Sequence, residues 1–316
     1  LVYNFPLVDD LLRKAYRPIE KALAVFEERL AREADGRFPY PSFLFTGKRL
    51  RPACVFFAAK AFGEVKEPVL LAALAVELLH AGTLVHDDII DGSAERRGDE
   101  SLHKRYGIVE AVLAGDNLFV KSLQQVNAIG RPDLVEEFLA SCEKALEGEQ
   151  MEERLSLEES LMRENYIAVI SMKTAEIFAL SCSLGARITG YSQEHVLTIR
   201  RAGQSFGMAY QIIDDCEDML SEKDSDLAGG KFTLPVIEAT SHIEGLRETL
   251  LSGRFRPELV REKVKGAGGI RIALERASEY IEEARNLVGA VGDPELEEPF
   301  SGLFGYLEER AWAISR

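Results

Sequence analysis

Residues 69–91 read VLLAALAVELLHAGTLVHDDIID, and residues 207–220 read GMAYQIIDDCEDML. In the first stretch apolar residues occupy every face of a 3.6-residue helix, so that helix must be enclosed by other helices. It ends in Asp87, Asp88 and Asp91, and the second stretch repeats the pattern with Asp214, Asp215 and Asp218. Positions i and i+4 share a helix face, so Asp87/Asp91 and Asp214/Asp218 each bring two carboxylates to one place. The negative end of the helix macrodipole adds to their repulsion. Mg²⁺ suits such a place, because it takes carboxylate oxygens, keeps some of its waters and shares itself with substrate phosphates. Acidic ends on deeply apolar helices therefore point to metal-dependent chemistry on a phosphorylated ligand.

The rest of the chain reads with the same period. Residues 7–32 place Leu11, Leu12, Ala15, Ile19, Leu23, Phe26 and Leu30 on one stripe. Further helices are predicted over 52–62, 68–91, 108–129, 132–155, 157–188 and 192–220. Pro52, Pro68 and Pro132 each fall in a first turn, where a missing N–H has no intrahelical partner to lose. Residues 69–85 and 168–186 are the expected central helices. The irregular breaks are 35–47, 92–107 and 221–231, and no stretch alternates with period two. This predicts one all-α domain over 1–316, a bundle of mostly antiparallel helices around an apolar cavity.

With 46% hydrophobic and 29% charged residues, the 316-residue chain has material for a core of that size. Its 38 Lys and Arg against 53 Asp and Glu leave a net charge of −15, which argues against nucleic acid as a partner. Cys54, Cys142, Cys182 and Cys216 form no CxxC pair and read as buried thiols in a reducing compartment. The longest apolar run, 69–79, contains Glu77 and is too short to span a bilayer, and no secretory leader opens the sequence. The expected location is the cytoplasm.

An anionic ligand in so acidic a chain needs local cations. Arg96 and Arg97 follow the first acidic motif, and neighbours in an extended segment point to opposite sides, toward two different phosphate groups. Thr46-Gly47-Lys48-Arg49-Leu50-Arg51-Pro52 sets three cations at a helix start, where free N–H groups already favour anions. Lys173-Thr174 and Lys231 are further candidates, and His80 lies inside the first acidic helix.

These stretches resemble the trans-isoprenyl diphosphate synthase (polyprenyl synthetase) family. The resemblance is carried by GKRLRP (47–52), LLHAGTLVHDDIIDGSAERRG (78–98), LAGDNLF (113–119), MKTAEIF (172–178), GQSFGMAYQIIDD (203–215) and DLAGGKFTLP (226–235). It implies a homodimeric helical bundle that condenses isopentenyl diphosphate with an allylic diphosphate. By the same resemblance Asp87, Asp88, Asp91, Asp214, Asp215 and Asp218 hold Mg²⁺, three ions with substrate bound. Arg96, Lys173, Thr174, Gln211 and Lys231 serve the allylic diphosphate, and Lys48, Arg51, His80 and Arg97 serve isopentenyl diphosphate. Ionisation of the C–O bond leaves diphosphate, so metal and cations act where negative charge grows, and that diphosphate can also take the final proton.

The chain departs from the family in three places. Thr46 stands where a second Gly is usual before Lys48, Glu217 occupies a commonly apolar position of the second motif, and the loop 218–231, with Lys223, is short. A terpene cyclase shares the first motif but usually replaces the second with a mixed Asn/Ser/Glu type, and a non-catalytic regulatory subunit would have lost one motif. Intact Asp214-Asp215-x-x-Asp218 favours chain elongation over both. Gly82, Leu79 and Val76 form successive levels of one stripe below the aspartates. In the family a bulky aromatic at the first level stops growth early. Gly82 therefore predicts an open tunnel and a product longer than farnesyl, in the geranylgeranyl to octaprenyl range, with a short-chain farnesyl or geranyl diphosphate synthase as the alternative.

Overall fold

The computed structural model describes residues 10–33, 39–40, 42–60, 62–63, 65–96, 98–221 and 226–316. Arg97 and Lys223 thus lie outside the described residues. The N-terminal stripe is built as two helices, α1 (Asp10–Tyr16) and α2 (Glu20–Glu33), because Pro18 tightens Arg17–Ile19 into a 3₁₀ turn between them. Leu12, Ala15, Ile19, Leu23, Phe26 and Leu30 are buried as the periodicity requires. Next come α3 (Leu50–Ala58) and α4 (Glu67–Ile90), with Pro68 in the first turn of α4.

The break at 92–107 is more ordered than expected. Glu95–Arg96 (β1) pairs antiparallel with Asp99–Glu100 (β2), Gly98 supplies a φ of 85°, and α5 (Leu102–Tyr106) follows. α6 (Ile108–Ala128) and α7 (Pro132–Arg154) match the periodicity. The single helix expected over 157–188 is instead interrupted twice. Ser156 and Glu159 form a capping box that starts the short α8 (Leu157–Ser160), and a fresh start at Arg163 opens α9 (Arg163–Ile170). A π turn over Ser171–Ala175 then leads into α10 (Glu176–Thr189). The remaining helices are α11 (Gln193–Leu220), α12 (Asp226–Gly229), α13 (Leu234–Thr240), α14 (Leu246–Leu251), α15 (Pro257–Gly266), α16 (Gly269–Val291) and α17 (Pro294–Ile314).

Two compact units divide the chain: Leu1–Ala140 with Leu180–Arg200 and Val291–Leu303, and Ser141–Ala179 with Arg201–Ala290 and Phe304–Arg316. In the first unit α4 packs against α2, α3 and α6, and every residue from Val69 to Leu79 is buried. Gly82 and Gly115 bring α4 and α6 close together. A Cβ on Gly115 would lie 2.3 Å from His86 Nε2, and one on Gly82 would meet the Gly115 carbonyl at 3.3 Å and Phe119 Cε1 at 3.4 Å. Gly82 thus also serves close packing of α4 on α6, and the nearest ring to it is Phe119 of α6.

In the second unit Phe206 stacks edge-on to Phe178 at 5.3 Å, and Gly207 lets α11 approach the π turn, since a Cβ there would sit 2.6 Å from Ala175 Cα. All four cysteines are free thiols; Cys54, Cys182 and Cys216 are buried, whereas Cys142 is only partly so. By length and apolarity Glu67–Ile90 and Arg163–Thr189 could each cross a membrane, but both are mostly buried, as core helices are.

The loop before α3 is held by one buried cation. Arg49 caps α3 in the left-handed conformation, with φ 57°. Its side chain grips Glu27 through Nε at 2.6 Å and Nη2 at 3.1 Å, reaches Glu77 at 2.6 Å and donates to the Leu44 carbonyl at 2.8 Å. Burial works to lower its pKa, and the two glutamates more than reverse that, leaving it raised. Of the three cations at this helix start, Arg49 is thus structural and fixes Lys48 and Arg51 on either side of it. Arg49→Met should strand two carboxylates and cost about 3–5 kcal/mol, read as a lower urea midpoint; an unchanged midpoint would contradict this role.

Candidate active site

At the end of α4 the three aspartates are not equivalent. Asp88 is 2% exposed, Asp87 is half-buried and Asp91 is exposed. Arg96 donates from Nε to Asp88 Oδ1 at 2.5 Å, because the β1–β2 hairpin folds back over the helix end. Burial pushes the Asp88 carboxyl above its ordinary pKa, and Arg96 draws it back toward ionisation. The Ser93 N–H also caps the Asp88 carbonyl at 3.0 Å. The other cations placed by the sequence in this unit are Lys48 and Arg51, both half-buried and flanking Arg49. Tyr16 ties down the loop by donating to the Lys48 carbonyl at 2.7 Å. His80 is half-buried two turns before Asp87, and its carbonyl accepts from Thr83 Oγ1 at 2.8 Å.

The end of α11 repeats this design within the second unit. Its middle aspartate, Asp215, is 5% exposed. It accepts from Tyr166 Oη at 2.5 Å and from Gln211 Nε2 at 2.8 Å, while Thr174 Oγ1 donates to Gln211 Oε1 at 2.9 Å. Thr174 and Gln211, expected at the allylic diphosphate, here orient a carboxylate. Burial first and Asp215 second hold the Tyr166 phenol well above its ordinary pKa, so it stays a donor. Asp214 is half-buried and accepts from Arg310 Nη2 at 2.9 Å, and Asp218 is exposed.

The cations of this unit sit in an acidic cradle on α7. Lys173, in the π turn, lies 2.5 Å from Glu149 and 2.8 Å from Glu152, and Lys231 lies 3.1 Å from Glu153 and 3.8 Å from Glu152. Gly148 lets the π turn approach α7, since a Cβ there would stand 2.9 Å from the Lys173 backbone nitrogen. Glu149, Glu152, Glu153, Tyr166 and Arg310 were not marked as site residues by the sequence; the one hint was Glu217, which is Arg310's partner.

The donor set fits a hard divalent cation. Each helix end keeps an outer i,i+4 carboxylate pair around a buried middle aspartate that is held by its own donors. Among the described residues no three His, Cys, Asp or Glu side chains are grouped so as to hold a metal by themselves. An ion held by one or two carboxylates, with phosphate oxygens and water completing its shell, is the way Mg²⁺ is usually bound. Because Asp215 is buried on the Tyr166 hydroxyl, Tyr166→Phe should cost about 1.5–3 kcal/mol, the worth of a hydrogen bond to a charged group. Urea unfolding of that variant measures it, and a wild-type curve would show that the bond carries no weight.

Comparison with known proteins agrees with this geometry. The sequence profile of the polyprenyl synthetase family matches residues 40–263. The chain is 32% identical to a short chain isoprenyl diphosphate synthase of Methanothermobacter thermautotrophicus, over 84% of this chain and 86% of that one. It is 29% identical to the octaprenyl diphosphate synthase of Escherichia coli, over 81% and 84% of the two chains. The crystal structure of a polyprenyl synthase from Caulobacter crescentus, complexed with calcium and isoprenyl diphosphate, superposes with a TM-score of 0.82. That likeness covers 96% of this chain and 98% of that one at 25% identity. The chain belongs to the polyprenyl synthetase family, with its all-helical isoprenoid synthase fold, and is a trans-prenyltransferase.

Proposed function

We propose that this prenyltransferase is a cytoplasmic, Mg²⁺-dependent homodimer. As one catalytic domain it joins isopentenyl diphosphate head to tail to an allylic diphosphate, giving an all-trans polyprenyl diphosphate longer than farnesyl. The observation that carries this reading is the twice-repeated helix end, an outer carboxylate pair around a buried aspartate, each with cations in its own unit. Asp87 and Asp91, and Asp214 and Asp218, would hold up to three Mg²⁺ ions. Mg²⁺ bound there supplies positive charge against the departing diphosphate. Lys173, Lys231 and Arg96 bind and orient the allylic diphosphate, each kept in place by the acidic partner it already has. Lys48, Arg51, His80 and Arg97 bind the isopentenyl diphosphate. Holding the two substrates side by side is itself a large part of the rate, because it converts a bimolecular encounter into an oriented one.

Product length rests on α4. Gly82, Leu79 and Val76 carry no ring at any level, and the nearest ring at the first level, Phe119, comes from α6. The decisive experiment incubates the protein with Mg²⁺, isopentenyl diphosphate and geranyl or farnesyl diphosphate, and sizes the products. Elongated linear diphosphates are expected; cyclised hydrocarbons would favour the cyclase, and a product ending at farnesyl would overturn the length. Asp87→Ala and Asp214→Ala should each lower turnover by more than about a hundredfold. Asp87→Ala should melt at or slightly above wild type, since it removes a repelling charge from a helix C-terminus.

Self-association is supported by α6. Val109, Val112, Leu113, Val120 and Leu123 are exposed along one side of it, at 70%, 37%, 46%, 54% and 38%. So long an apolar stripe is unusual on a monomer. Sedimentation equilibrium should find a dimer, and Val112→Glu combined with Leu113→Glu should yield monomers; a wild-type monomer would end this part of the reading.

A further inference from the structure

Glu217 departs from the commonly apolar residue of the second aspartate motif, and it has a matching partner far along the sequence. Arg310, on α17, grips it with Nε to Oε1 at 2.8 Å and Nη2 to Oε2 at 2.5 Å. The same Nη2 donates to Asp214 Oδ1 at 2.9 Å. The guanidinium is 8% exposed and packed beside Tyr210 and Tyr306, whose ring centroids lie 5.1 and 5.6 Å from Cζ. Two rings and a bidentate carboxylate leave this planar group few alternative orientations.

We propose that Arg310 is a positioning residue for the metal-binding carboxylate of Asp214, and that Glu217 neutralises it so that orientation is gained without repelling the metal. This rests on the reading that Asp214 binds a divalent cation. A guanidinium at hydrogen-bond distance from Asp214 would by itself oppose a second cation there. Glu217 lies three residues beyond Asp214 on the same helix face, and its charge cancels that opposition. The Glu–Arg pair thus acts as a neutral clamp. An apolar residue at 217 could not do this, because Arg310 would then bring an uncompensated charge to Asp214.

The clamp predicts shifts of opposite sign, which a purely structural pair would not give. Mn²⁺, as a paramagnetic stand-in for Mg²⁺, is titrated into the full-length chain and the free ion is read by electron paramagnetic resonance. Glu217→Gln should weaken Mn²⁺ binding about three- to tenfold, and Arg310→Gln should tighten it by a similar factor. The double variant, neutral again but without the orienting guanidinium, should bind about threefold more weakly than wild type, whereas Arg310→Lys, which keeps the charge and serves if Arg310→Gln does not fold, should stay within about twofold of it. Asp214→Ala should weaken binding most. If Asp214→Ala weakens binding while the Glu217 and Arg310 variants leave it unchanged or shift it the same way, the clamp is refuted and the metal assignment survives. If Asp214→Ala has no effect, the metal assignment itself falls, and the clamp with it.

Discussion

Six aspartates crowd the C-terminal ends of two helices, at the negative poles of their macrodipoles. Left alone, those charges would fray the last turns. The protein deals with them the same way twice. The middle aspartate of each motif is drawn inside and given a dedicated donor, Arg96 for Asp88, and Tyr166 with Gln211 for Asp215. Anchoring the middle residue holds the last turn in helical register, so that the outer i,i+4 pair keeps its geometry. Much of the local architecture follows from this: the β1–β2 hairpin exists where Arg96 must be turned back, and Tyr166 sits on α9 close enough to reach α11.

The cations obey a related rule. Where three stand together before and within α3, the central one, Arg49, is buried on Glu27 and Glu77 and fixes its neighbours. Where lysines stand apart, Glu149, Glu152 and Glu153 hold them from one side. A charge kept in place by an ion pair loses less entropy when it meets a ligand. The strong net negative charge of the chain is compatible with diphosphate binding for this reason: the acidic residues near the site serve as holders of cations rather than as a repelling field.

Several of these features could be read without a structure. Aspartates at i and i+4 state their own geometry, and an apolar run with no polar face, as in residues 69–85, announces a central helix. Other features could not be read. The partner of Asp214 is 96 residues away, and that of Asp215 is 49 residues away on a different helix. Periodicity alone did not reveal the breaks at Leu161 and in the π turn, because apolar spacing continues across both. That α6 comes close to α4 at Gly82, with Phe119 as the nearest ring, could be seen only once the two helices were packed.

By itself, then, the sequence determined the helical class, the centrality of α4 and the two acidic helix ends, since all of these depend on spacing within a few turns of one helix. Only the tertiary structure decided which member of each charged group is buried. Asp88, Asp215 and Arg49 are indistinguishable in type from their neighbours. They differ because folding buried them, and a buried charge is tolerable only where a partner stands beside it.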